Sequence, residues 1–191
     1  MNAITICGYL WLAWCAIWLI CAIQSKETLH RESLASRLSY TVFVIAAVWL
    51  MFYDPRLGDW LHARIVPSTQ PLQWFAVAAT AAGFAFTLWA RAILGGNWSG
   101  NVTIKVGHEL VRTGPYRWVR HPIYTGLIVA MAGTALALDQ WRGLIALVLL
   151  WISFTAKRLK KEQFMRQTFG AQYDDYRRTT GAIFPIPRRN P

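Results

Sequence analysis

Charge is scarce in this chain: Asp, Glu, Lys and Arg make up 15% of the 191 residues, and nine of them are acidic. Cysteine is scarcer still. The chain has three, Cys7, Cys15 and Cys21, all in its first apolar run. No C-x-x-C spacing joins them and no histidine stands nearby, so neither a disulfide framework nor a metal site is expected. Buried, inert thiols are the expectation. Internal repeats and low-complexity tracts are also missing, which leaves a single domain as the natural reading of this length. Acids are so few that twenty Lys and Arg leave a formal net charge of +11. In a soluble protein that balance points to nucleic acid, and only the distribution of the charges decides whether it does so here.

What the chain has in quantity is apolar surface: 55% hydrophobic residues and eleven tryptophans. Long apolar runs with few charges make it an all-α integral membrane protein. The first run, Ile4–Ile23, is uncharged and matches a hydrocarbon core of about 30 Å at about 1.5 Å per residue. It has neither the positive n-region nor the small-residue cleavage site of a secretory signal, so it is expected to be retained. Tyr40–Tyr53 is short, which predicts a helix starting earlier with Arg37 snorkelling toward the headgroups. Asp54-Pro55 should end it. Residues 54–71 read as a loop with a short interfacial helix around Trp60–Val66. A third span covers Leu72–Leu94, rich in Ala and Gly, the composition that lets helices approach closely in lipid. Pro122–Leu138 and Gly143–Ala156 follow, joined by Asp139–Arg142 as a helical hairpin. The fifth helix should continue out to about Phe169-Gly170, with a further helical piece over Ala171–Thr180.

With five spans and the N-terminus outside, seventeen of the twenty Lys and Arg fall on the cytosolic side. The basic balance is then a positive-inside signal with attraction to anionic headgroups. Nucleic acid drops out as a partner. The localisation is a multi-pass membrane protein of the prokaryotic plasma membrane or the endoplasmic reticulum, with a cytosolic C-terminus. No obligate protein partner is evident. Residues 1–94 read as a three-span scaffold and 95–191 as the half that carries the chemistry.

Gly107–Gly126 is the longest polar passage, and the tail from Lys157 lies on the same side of the hairpin. A pocket between them is therefore expected. His121-Pro122 places His121 at the N-cap of the fourth span, where open N–H groups and the helix dipole favour an anion. Tyr124 follows one turn later. Both could instead be a plain cap and an interfacial aromatic. Arg158 and Glu162 form an i,i+4 pair, either an exposed ion pair of little worth or an acceptor for a cofactor ammonium beside a carboxylate binder. Asn97–Asn101 is either a simple loop or presents Trp98 to a sulfonium or other cation.

Two motif groups go beyond these local readings. His108, Leu110, Val111, Gly114, Tyr116, Arg120, His121, Pro122, Tyr124 and Gly126 stand in the order H-x-L-V-x-x-G-x-Y-x-x-x-R-H-P-x-Y-x-G. Arg158 and Glu162 then give R-x-x-x-E; Phe169, Gly170, Tyr173, Tyr176 and Pro185 complete a tail of F-G-x-x-Y-x-x-Y and a late proline. Together they resemble the isoprenylcysteine carboxyl methyltransferase family and its phospholipid methyltransferase relatives, over roughly the C-terminal half. The resemblance implies S-adenosylmethionine as methyl donor and no metal. It implies a cofactor site at His108, Glu109, Leu110 and Val111, at Tyr116, at His121, Pro122, Ile123 and Tyr124, and at Glu162. It places Arg158 toward substrate and makes Arg158 and Glu162 the catalytic pair. The acceptor it implies is lipophilic, most simply the carboxylate of an isoprenylcysteine-like molecule entering from the membrane lipids. A phospholipid amine or a thiol acceptor are alternatives, as is a sterol-reductase-like NADPH enzyme, which shares an R-H-x-x-Y-x-G stretch. One departure stands out: Lys161-Glu162 occupies a place where many relatives have two consecutive acids.

Overall fold

A computed structural model describes residues 1–22, 28–31, 33–53, 58–98, 103–105 and 110–186. Its first three long helices are α1 (Ala3–Ala22), α2 (Leu34–Phe52) and α3 (Gln70–Leu94). Each is long and apolar enough to cross a membrane. α2 does begin ahead of its apolar run, because Ser33 caps it: the Ser33 hydroxyl accepts from the Ser36 N–H at 3.3 Å. Pro71 sits in the first turn of α3, and Gly95 ends that helix with φ at 53°. The expected stop at Asp54-Pro55 lies outside the described residues. α4 (Pro122–Leu138) is shorter, at 17 residues, and α5 (Trp141–Phe169) runs 29 residues from an apolar first half into a charged second half. α6 (Ala171–Thr179) closes the described helices.

The all-α class holds, with one addition and two corrections. The addition is a two-stranded antiparallel ladder, β1 (Thr28–Arg31) with β2 (Thr103–Lys105). Strands this short carry no readable alternation, and the pairing joins segments far apart in sequence. The interfacial helix shrinks to one 3-10 turn, Asp59–His62. Beyond it the chain bends away from helix, and the N–H groups of Ile65 and Val66 donate to the Asp139 carboxylate at 3.3 and 2.9 Å. Finally, the hairpin joint is two residues rather than four. Asp139 takes the left-handed conformation and Gln140 caps α5, so Trp141 and Arg142 are already helical. Arg142 then donates to the Tyr53 carbonyl at 2.5 Å and the Leu50 carbonyl at 3.3 Å, covering the end of α2.

α3 and α4 make the tightest pair. A Cβ on Gly83 would meet the Gly126 carbonyl and the Ala130 nitrogen at 2.5 Å, and one on Gly133 would meet the Ala76 carbonyl at 2.6 Å. The Ala/Gly content of the third span thus serves backbone-to-backbone approach. Thr80 and Thr134, both fully buried there, return their hydroxyls to helix carbonyls. Trp11 and Trp14 of α1 donate their indole N–H groups to Thr134 and Thr87, at 3.0 and 2.7 Å, which fixes α1 against this pair. The other face of α4 packs with α2 and α5 around Leu50, Met51, Met131, Leu150 and Phe154. Large apolar side chains such as Leu12, Leu19, Val42 and Phe75 remain exposed. Outward-facing apolar side chains on fully hydrogen-bonded helices are what a bilayer requires.

Candidate functional site

At the polar end of α4 the chain makes a tight 3-10 turn, Gly114–Arg117, with Gly114 at φ 56° and Pro115 and Tyr116 buried. The tail is tied to the following stretch. The Arg120 and His121 N–H groups donate to the Gly181 and Ala182 carbonyls at 2.8 and 3.0 Å, and the Tyr176 hydroxyl donates to the Tyr116 carbonyl at 2.5 Å. The Thr125 hydroxyl donates to the Ile183 carbonyl at 2.7 Å. Residues 180–186 therefore strap the start of α4.

His121 is the N-cap residue by position, but its side chain caps nothing. Nε2 lies 3.0 Å from Glu162 Oε1 instead, and the ring stacks on Tyr124 at 5.4 Å and 4°, which stacks in turn on Phe154 at 4.8 Å. The reading of His121 as a plain cap is set aside by this geometry. So is the exposed ion pair at Glu162, which is 5% exposed. Its Oε1 also takes Arg120 at 3.0 Å and Arg158 at 3.6 Å, while Oε2 faces Arg177 at 3.5 Å. Burial alone would raise this carboxyl; the hydrogen bonds and charges of His121 and Arg120 outweigh it and bring it to about 2. Burial lowers His121 to about 4 against the pull of Glu162, so its imidazole is neutral near pH 7.

A cavity of about 250 Å³ opens between α1 and α5 beside this network. Of the residues the sequence singled out, Leu110, Val111, Tyr116, His121, Pro122, Ile123 and Tyr124 line it together. His108 and Glu109 lie outside the described residues. Glu162 and Arg158 do not line it; they stand behind His121 and Arg120. The α5 wall consists of Phe154, Lys157, Lys161 and Met165, one position round the helix from the Arg158–Glu162 pair. Trp14 and Trp18 of α1 and Trp98 add an aromatic wall. Trp14 stacks on Trp18 at 4.6 Å, and Trp98 meets Trp18 edge-on at 5.3 Å. Sequence reasoning missed Trp14, Trp18 and Lys157 as site residues. Their i,i+4 spacings on α1 and α5 were the available signal.

The lining suits a nucleoside cofactor with a sulfonium: flat aromatic faces, apolar side chains at Leu110 and Val111, and cations able to meet a carboxylate. The model of the isoprenylcysteine carboxyl methyltransferase (ICMT) family matches residues 76–167, which take in most of α3, all of α4 and most of α5. The match covers just under half of the chain. A probable protein-S-isoprenylcysteine O-methyltransferase of Oryza sativa subsp. indica is 34% identical over 80 residues, covering 41% of this chain and 42% of that protein. The rat protein-S-isoprenylcysteine O-methyltransferase is 25% identical over 181 residues, covering 88% of this chain and 60% of its own length. The chain thus spans between 42% and 60% of the length of these relatives. A solved structure of the eukaryotic intramembrane Ras methyltransferase ICMT superposes with a TM-score of 0.61 at 24% identity, over 78% of this chain and 52% of that one. That likeness establishes an ICMT-like membrane fold.

Proposed function

We propose that this chain is a membrane-embedded, S-adenosylmethionine-dependent methyltransferase acting on a lipophilic acceptor, most simply the carboxylate of an isoprenylcysteine-like molecule. The observation that carries the reading is the cavity itself. The matched motif residues Leu110, Val111, Tyr116, His121 and Tyr124 converge on one space between α1 and α5, bordered by aromatic and by cationic side chains. When bound, S-adenosylmethionine supplies a methyl already activated on sulfur. The protein's task is then to align and to exclude water rather than to form a covalent intermediate.

Leu110, Val111, Tyr116 and the His121–Tyr124 turn would hold the cofactor. Trp98, with the Arg91 guanidinium 4.7 Å over its ring, forms part of the wall nearest the loop. A carboxylate acceptor needs no base. Glu162 acts on the site by fixing His121 and Arg120, and Arg158 completes that network on the acceptor side. His108 and Glu109 are assigned to the cofactor from the motif alone. The N-terminal spans contribute Trp14 and Trp18, so the scaffold half shares in the site. The acceptor enters from the bilayer, with the cofactor site on the cytosolic side of five spans. The comparisons lend no support to an NADPH-dependent, sterol-reductase-like activity.

Isothermal titration of the detergent-purified chain with S-adenosylhomocysteine tests the cofactor, and transfer of radiolabelled methyl to prenylcysteine analogues or a lipid extract tests the acceptor. The expected product is an alkali-labile ester. An absence of binding below about 1 mM together with no labelled product would sink the reading.

A further inference from the structure

The cavity wall contributed by α5 holds a cation that the rest of the site does not use. Lys157 and Lys161 stand one turn apart and both line the cavity, with Arg120 on the facing wall. No Asp or Glu is among the described residues that line it. Glu162, adjacent in sequence, points round the helix into its cluster of Arg120, His121, Arg158 and Arg177. The neighbouring lysines have partners. Lys160 donates to Ser36 and Ser39 at 2.9–3.1 Å, and Lys157 lies 5.1 Å over the Tyr40 ring. Among the described residues nothing of the kind meets the Lys161 ammonium. A partly buried ammonium facing a second one is destabilised until an anion joins it.

We propose that Lys161 is a specificity-determining residue of this cavity and takes the carboxylate of a molecule bound there. The inference rests on the methyltransferase reading and deepens it: the α5 wall of the cavity presents a cation with no acid beside it, and thereby selects an anionic group. Two sources fit that chemistry, the carboxylate of a lipophilic acceptor and the methionyl carboxylate of the cofactor. Burial, and then the charge of Lys157, lowers the Lys161 ammonium to about 8, so its charge is only just retained at neutral pH. The other groups facing the cavity are Arg120 and His121 just before α4, Tyr124 in its first turn, Tyr116 from the 3-10 turn, Tyr173 and Tyr176 from α6, and Lys157. Burial lowers His121 to about 4 and pushes Tyr116, Tyr173 and Tyr176 well above their ordinary range, so of the shifted groups Lys161 alone changes charge between pH 7 and 9.

Fluorescence of the cavity tryptophans provides the test, with the full chain in detergent titrated with S-farnesylthioacetic acid and with its primary amide. The wild type should prefer the acid about tenfold or more, the worth of a charge-assisted hydrogen bond. Lys161→Met should erase that preference and Lys161→Arg keep it. In the wild type, acid affinity should fall by up to about tenfold per pH unit above pH 8, while amide affinity stays level. This profile needs no variant, so it decides the matter even if Lys161→Met fails to fold. Calorimetry with S-adenosylhomocysteine separates the sources. If Lys161→Met weakens that ligand tenfold and leaves the acid-to-amide ratio intact, the carboxylate is the cofactor's. Equal binding of acid and amide by wild type, with S-adenosylhomocysteine affinity unmoved by Lys161→Met, overturns the inference. A wild type that binds no S-adenosylhomocysteine and transfers no methyl, yet discriminates acid from amide through Lys161, refutes the methyltransferase reading and leaves this one standing.

Discussion

Glu162 is one buried carboxylate holding four basic side chains, and its removal should be felt as a fold defect before it is felt as chemistry. Glu162→Gln leaves Arg120 buried without a counter-charge, and breaking such a pair costs roughly 3 kcal/mol. Thermal unfolding in one detergent should show a clear drop in Tm; an unchanged Tm would mean the arginines find other partners. The pH dependence follows from the same cluster, and its sign is fixed. His121 has its folded value depressed from 6.5 to about 4, so the unfolded chain binds the extra proton between those limits. Its contribution is fully present above pH 6.5 and is lost as pH falls toward 4. The loss amounts to about 3 kcal/mol on a shift of this size. Glu162, depressed from 4.5 to about 2, adds a second loss below pH 4.5. Replacing His121 with Asn should flatten the first limb and shrink the second, because His121 is also the chief group that lowers Glu162. Melting curves at pH 7, 5 and 4 would show it, and a His121→Asn variant with the same limb as wild type would reassign the titration elsewhere.

At the scale of helices, the seam between α3 and α4 makes a sharp contrast between two glycines. Gly83→Ala forces a Cβ into backbone atoms at 2.5 Å, which neither helix can yield without separating, whereas a Cβ on Gly8 of α1 meets nothing within 4 Å. Gly83→Ala should cost roughly 1–3 kcal/mol as overpacking. Gly8→Ala should be neutral or stabilise by about 0.5–1 kcal/mol through helix propensity. Paired melts of the two variants check this, and equal effects would contradict the close approach. The helices themselves are legible from length, charge and punctuation: Pro122–Leu138 reads from the sequence with the same ends that it has in the fold. Their rotation is not legible. Arg158–Glu162 and Lys157–Lys161 share a spacing and a helix, and no periodicity in so charged a stretch says which pair faces a cavity. That choice is made by what Arg120 and Arg177 bring from elsewhere in the chain. The β1–β2 ladder and the strap over α4 are invisible for a related reason, since backbone pairing between distant segments leaves no local pattern.

For the whole molecule, the contacts at the two ends of the bundle decide how deep the short hairpin goes. Its tip, Asp139, pairs with Arg64 at 3.3 Å and accepts from Val66 at 2.9 Å, so it reaches the same level as the connection between α2 and α3. At the opposite end Lys160 of α5 meets Ser36 at the start of α2, and Arg91 of α3 donates to the Cys21 carbonyl at the end of α1. α4, at 17 residues and about 1.5 Å per residue, therefore covers the same thickness as its longer neighbours, about 26 Å. That is close to the thickness of a thin bilayer core. All five helices should then cross, with Ser68 and Gln140 on one side and Arg178 on the other. The charge distribution predicts a cytosolic Arg178. In a background with Cys7, Cys15 and Cys21 replaced by Ala, single cysteines at positions 68 and 140 should react with a membrane-impermeant maleimide on intact cells. A cysteine at 178 should react only after permeabilisation. Labelling at 68 but not at 140 would mean that the hairpin stops short of the far surface. Labelling at 178 alone would invert the orientation and move the cavity to the opposite face of the membrane, away from a cytosolic cofactor.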